Sequence, residues 1–131
     1  MKIRIINSKD EIPELDPKER VVHLTIPPVY FVLLELVNQC PKLEAIEVPP
    51  SQLPNVSKPF RYLMEVRGVE IFEGRIWGHR TDMTKYCTVD DDLILRRAEE
   101  HRAEGLDSEE IAARVASATG ISPGLVGFIL R

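Results

Sequence analysis

Four short runs with strand character recur along this chain at similar intervals, and each leads into a proline- or glycine-marked segment: Lys2–Ile6, Val21–Ile26, Leu43–Val48 and Val69–Phe72, the last able to extend to Trp77. Their starts lie 19, 22 and 26 residues apart. That spacing is too wide for tight hairpins and fits strands joined by crossover segments, which pair in parallel.

The intervening segments support this reading. After Pro27-Pro28, residues Val29–Gln39 form an apolar helix whose Pro28 suits the first helical position. After Ser57, Lys58–Arg67 form a second helix, stopped by Gly68. The link Asn7–Arg20 opens on Ser8-Lys-Asp-Glu11, a capping-box pattern. The strand ends His23-Leu-Thr-Ile-Pro-Pro28 and Ala45-Ile-Glu-Val-Pro-Pro50 form a faint repeat with a 22-residue step, within the range of leucine-rich repeats but with too few copies for a solenoid.

Parallel strands buried on both faces read as continuous apolar runs, whereas these alternate. Ile3 and Ile5 oppose Lys2 and Arg4, Val22, Leu24 and Ile26 oppose His23 and Thr25, and Ile46 and Val48 oppose Ala45 and Glu47. One well-packed face and one half-polar face are expected, the second bare or covered by the C-terminal helices or another subunit. The Val29–Val37 stretch is apolar nearly all round and needs burial on more than one side.

From Thr88 the chain turns helical and acidic. Asp90-Asp-Asp92 caps a helix running to Glu104 with Gly105 as its stop; Asp107 starts a second helix over Ser108–Ala118, closed by Gly120; Ser122-Pro123 opens a third through Leu130. The expected fold is α/β: a small four-stranded, mostly parallel sheet with helices mainly on one face (1–87), plus a C-terminal three-helix tail (88–131) packed on it as one domain.

At 131 residues and 44% hydrophobic, the chain suits one core, which 6% aromatics leaves to Ile, Leu and Val. A net charge of −4 gives no overall attraction to nucleic acid or anionic lipid. The charge is uneven: residues 1–57 hold six Lys/Arg against eight Asp/Glu, 58–85 six against four, and 86–131 five against nine. An anionic ligand is therefore expected in the middle segment. Cys40 and Cys87 form no CxxC or disulfide framework, which points to a reducing, cytoplasmic compartment. Met1-Lys-Ile-Arg-Ile-Ile lacks the long apolar stretch and small-residue cleavage site of a signal peptide and reads as a first strand, and the Val29–Val37 run is too short to cross a bilayer, so no membrane partner is expected.

The locally basic stretch contains Glu73-Gly-Arg-Ile-Trp-Gly-His-Arg-Thr-Asp82, with the sole tryptophan. It follows a strand, and open parallel sheets bind ligands at strand C-terminal ends. Arg75, Trp77, Gly78, His79, Arg80 and Asp82 are the candidate ligand-binding residues: arginine for a carboxylate or phosphate, glycine for close backbone approach. If there is catalysis, His79 is the acid/base and Asp82 orients it. The competing reading is a loop pinned by Trp77, with Arg80 and Asp82 paired.

No cofactor and no metal are expected, because His79, Cys87 and Asp90–Asp92 lack the close ligand pairs of zinc sites, and the aspartates suit a helix N-terminus. Neither cysteine sits in a nucleophile motif. The segment from Glu104 to Val126 has a helix-turn-helix look, yet its spacing is long and Ser122–Arg131 offers few side chains for base edges.

Met1-Lys-Ile-Arg-Ile-Ile-Asn-Ser-Lys-Asp-Glu, Val22-His-Leu, Cys40-Pro, the Trp77-Gly-His-Arg80 run and Glu104-Gly-Leu-Asp-Ser-Glu-Glu-Ile together resemble a small archaeal family, chiefly of methanogens, known as domain of unknown function 1699. The resemblance spans nearly the whole chain and implies an intracellular protein with no functional residues to carry over.

The sequence thus favours a non-enzymatic cytosolic binding or regulatory protein with an anion- or partner-binding site at Arg75–Asp82, and leaves homodimerisation open. The alternatives are a nucleic-acid-binding protein using the helix-turn-helix-like tail, and a small enzyme using His79.

Overall fold

The computed structural model describes residues 1–75 and 85–131. Strands β1 (Lys2–Ile6), β2 (Val21–Leu24), β3 (Ala45–Val48), β4 (Glu70–Glu73) and β5 (Tyr86–Thr88) form one sheet in the order β4-β3-β2-β1-β5. The first four are parallel, and β5 lies antiparallel along the outer side of β1. The expected α/β sheet therefore gains a fifth strand and is mixed. Tyr86-Cys-Thr88 is too short to carry a periodic signal, and its place depends on pairing Ile3 with Cys87 across the chain.

Because β1 to β4 succeed one another in one direction, a common crossover hand puts their connections on one face. There lie a 3-10 helix (Lys9–Glu14), α1 (Tyr30–Gln39) and α2 (Lys58–Arg67). The 3-10 helix starts on the expected capping box, with Glu11 accepting from the backbone of Asn7 and Ser8 at 2.8 Å each. Helix α2 is capped by Ser57 and ends at Gly68 in the left-handed region (φ 74°). Helix α1 starts one residue later than expected, with Val29 as N-cap, so Pro28 precedes the helix rather than opening it.

Helices α3 (Asp91–Ala103), α4 (Ser108–Thr119) and α5 (Pro123–Ile129), N-capped by Asp90, Asp107 and Ser122, cover the other face. Helices therefore lie on both faces rather than mainly on one, and the tail packs against the sheet. The first core joins Val22, Leu24, Ile46 and Val48 to Leu33, Leu36, Phe60 and Met64. The second joins Ile3, Ile5, Val21, Ala45 and Cys87 to Ile94, Ile111, Val115, Leu125 and Val126.

This division corrects the expectation of one apolar face. Strand β1 directs Ile3 and Ile5 into the second core, while β2 and β3 direct their alternate apolar residues into the first. The opposite side of β1 carries Arg4, which reaches Glu11 at 3.3 Å, and Lys85 adds a second cation to Glu11 at 3.1 Å. Burial raises the Glu11 carboxyl, but Lys85 and the N–H groups of Asn7 and Ser8 outweigh it and hold the group below its usual range. Tyr86, beside Arg4 on β5, donates its hydroxyl to Glu19 and so ties the added strand to the β1–β2 connection.

Candidate functional site

The C-terminal ends of β1 to β4 share one edge, and the starts of α1 and α2 follow from it. Of the sequence-predicted ligand residues, Arg75 lies there, exposed, two residues past the end of β4. Trp77, Gly78, His79, Arg80 and Asp82, including both candidate catalytic residues, fall within 76–84, outside the described residues.

Beneath this edge, on the second face, the structure assembles a polar cluster from three separated segments. His23 and Glu47 are opposite each other in the β2–β3 register, and His23 Nδ1 donates to Glu47 Oε1 at 2.7 Å. Both are almost wholly buried, at 1% and 2% exposure. Ser122, the N-cap of α5, donates through Oγ to Glu47 Oε2 at 3.2 Å and accepts from the Leu125 N–H at the same distance. One carboxylate thus receives two donors, which satisfies the buried charge and locks the α5 start onto the sheet.

Gly74 closes the cluster. Its N–H continues the ladder to Val48 at 2.9 Å, and a Cβ on it would collide with the Glu47 carboxylate and come within 2.8 Å of Ser122 Oγ. The absence of a side chain is what lets β4 end against the His23–Glu47–Ser122 cluster. Gly124 serves α5 similarly, since a Cβ there would stand 2.8 Å from Phe72 Cβ.

The arrangement differs from a nucleophilic triad. A serine nucleophile hands its proton to an imidazole, with the carboxylate behind it. Here the carboxylate stands in the middle, and Ser122 meets Glu47 instead of His23.

Beside Ser122 the edge opens into a hollow of about 570 Å³ between the end of β4 and the α4–α5 junction. Its walls are mostly small or apolar, including Pro50, Ala113, Ala116 and Pro123, with Glu73, Arg75 and Ser117 among its polar lining. This size and lining suit a small molecule. No ion pair joins Arg75 to another described residue.

A larger hollow of about 770 Å³ occupies the opposite edge, near Lys2, Arg20, Glu44, Glu70 and Arg131. Two ion pairs span its charges: Arg20 meets Glu44 at 2.5 Å, and Arg131 pairs with Glu70. It also lies away from the strand C-terminal ends, where open α/β sheets hold ligands.

Among the described residues, no group of three or more His, Cys, Asp or Glu side chains could hold a metal ion, and no single helix is long and apolar enough to cross a membrane. Asp90 accepts from the Leu93 N–H at 3.1 Å as a helix cap, and Asp91 meets the Met1 ammonium at 3.1 Å. The axes of α4 and α5 turn through 115° at the break between them, and α5 seats Leu125 and Val126 in the second core, with Phe128 stacked at a tilt on Phe72. Cys40 is a free, buried thiol, pushed up to about 11 by burial and then by Glu19 and Asp16.

Sequence reasoning missed His23, Glu47 and Ser122 as one cluster. His23 and Ala45 hold equivalent places in the 22-residue repeat, but the β2–β3 register has an offset of 24 residues and sets His23 against Glu47. A two-residue shift keeps every side chain on the same face, so alternation alone cannot detect it.

No curated protein and no solved structure matches this chain. Residues 2–85, from the first strand through the stretch containing Arg75, match the family of unknown function (DUF1699) N-terminal domain, and the chain belongs to that family.

Proposed function

We propose that this protein is a cytosolic, non-enzymatic binding protein, and that its ligand is a small anion with an apolar body held in the hollow beside Arg75. The observation that carries this reading is the exposed Arg75, unpaired among the described residues, at an apolar recess of about 570 Å³ on the C-terminal edge of the parallel strands. A guanidinium grips a carboxylate or phosphate through two parallel N–H bonds, while the Ala113, Ala116 and Pro123 walls suit an apolar portion. Trp77, His79, Arg80 and Asp82 follow Arg75 in the chain and extend the same set of ligand-recognising residue types.

Binding is favoured over catalysis because both oxygens of Glu47 are occupied and Ser122 caps a helix, leaving neither poised as base or nucleophile. The reading is tested by NMR titration with inorganic phosphate, sugar phosphates, nucleotides and aliphatic carboxylates. Amide shifts are expected at Gly74, Arg75, Ala116 and Ser117, with affinity reduced by about tenfold or more in Arg75→Ala, the scale of a lost charge-assisted hydrogen bond. Unmoved amides at those positions with every ligand, or undiminished binding by Arg75→Ala, would refute it.

A further inference from the structure

Helix α1 remains incompletely covered. Its inner side, Val32, Leu33, Leu36 and Val37, is buried in the first core, but Phe31 is 74% and Tyr30 49% exposed. On α2, Tyr62 and Val66 stand one turn apart at 70% and 67% exposure.

These residues belong to one strip. Gln39 Nε2 donates to the Leu15 carbonyl at 2.8 Å, so that flank of α1 faces the β1–β2 connection. The flank bearing Tyr30 and Leu34 faces α2, where the Tyr30 ring meets Phe60 edge-on at 6.1 Å. Arg61 and Glu65 line a hollow along the β4 edge, so α2 turns Leu63 and Val66 toward α1 and leaves Tyr62 outermost. Phe31, Tyr30 and Leu34 therefore continue into Leu63, Val66 and Tyr62 as an apolar surface across two neighbouring helices. The tail helices pack on the opposite face of the sheet and leave it open.

We infer that this surface is the interface of a two-fold homodimer. With rings of about 200 Å² each, the three exposed aromatics present ~400 Å², and Val29, Val66 and the flanks of the leucines bring the strip to roughly 600–700 Å². A stable interface buries about 800 Å² per partner, which this strip and a polar rim would supply, whereas a monomer rarely exposes so large a patch without use.

The rim charges match a second copy. Helix α1 carries one acid, Glu35, and no base; α2 carries Lys58, Arg61 and Arg67 against Glu65. A two-fold axis that lays α1 of each copy across α2 of the other brings Glu35 to a basic helix twice, once in each direction. A nucleic acid would meet an apolar α1 with an acid on it, which disfavours that occupant.

Sedimentation equilibrium of the full chain over a wide concentration range tests the inference. A monomer–dimer equilibrium is expected. Phe31→Asp and Tyr62→Asp, at exposed positions that spare the fold, should each weaken it by about tenfold or more, as central aromatic contacts do. Leu95→Asp, at an exposed apolar position of α3 on the other face, should leave it unchanged. Glu35→Lys should weaken the dimer, and adding Lys58→Glu should restore it. A wild-type chain that stays monomeric throughout, or a dimer indifferent to both aspartate variants, overturns the proposal. So does a monomer that instead co-sediments with phosphatidylglycerol vesicles, which would give the surface to a lipid.

Discussion

His23 on β2 and Glu47 on β3 meet at 2.7 Å inside the sheet's second face, directly opposed in register and almost fully excluded from solvent. Removing one member of such a pair strands the other, whereas replacing both by apolar groups removes the desolvation burden as well. Glu47→Leu alone is expected to cost about 3–5 kcal/mol, and the double variant His23→Leu/Glu47→Leu to regain most of that loss. Urea unfolding of both single variants and the double variant measures the coupling. Additive losses would mean that the two groups act independently.

Gly74 and Gly127 should respond oppositely to the same substitution. Gly74→Ala drives a methyl group into the Glu47 carboxylate and Ser122 Oγ, an overpacking expected to cost about 1–3 kcal/mol. Gly127 lies inside α5, and a methyl group added there would meet nothing within 4 Å, so Gly127→Ala should stabilise by roughly 0.5–1 kcal/mol through helix propensity. Thermal unfolding of the two variants distinguishes them; equal effects would contradict the close packing at Gly74.

Stability should fall toward both pH extremes for identifiable reasons. The Glu11 carboxyl is held below its unfolded value, so its contribution is complete above that value and disappears as pH falls through the lower folded one. Tyr86 is shifted the other way: the hydrogen bond to Glu19, then burial, pushes its hydroxyl up from 10.0 to about 12. Its contribution is present below pH 10 and disappears as pH rises through about 12. Tyr86→Phe should cost about 1.5–3 kcal/mol near neutrality, the range for a hydrogen bond to a charged group, and flatten the alkaline limb. Urea unfolding across pH would reveal an unchanged limb if another group were responsible.

Cys40 should be inert in the folded protein. Its thiol is buried, approaches the Asp16 carbonyl at 3.6 Å and is pushed up to about 11, so little thiolate exists near neutrality. Iodoacetamide labelling followed by mass spectrometry should modify Cys40 after denaturation and spare it before. Rapid labelling under native conditions would show that α1 opens readily from its neighbours.

Where a signal resides within a few residues, the sequence alone determined the outcome. The capping box from Ser8 to Glu11, the Ser57 cap and Gly68 stop of α2, the caps at Asp90, Asp107 and Ser122, and the parallel direction of four spaced strands were all legible, because caps and crossover lengths act locally. Arg75 was legible as a basic residue just beyond a strand, and the structure places it at the hollow's edge. Tertiary structure decided the rest. It placed Tyr86–Thr88 along β1, turned Ile3 and Ile5 of β1 to the opposite core from Val22, Leu24, Ile46 and Val48, and set His23 against Glu47. Each of these depends on which distant segment supplies a hydrogen-bond or packing partner. Strand alternation, with its period of two, is the same before and after a shift of two residues, so the buried cluster beneath the proposed site comes from long-range register rather than from any local pattern.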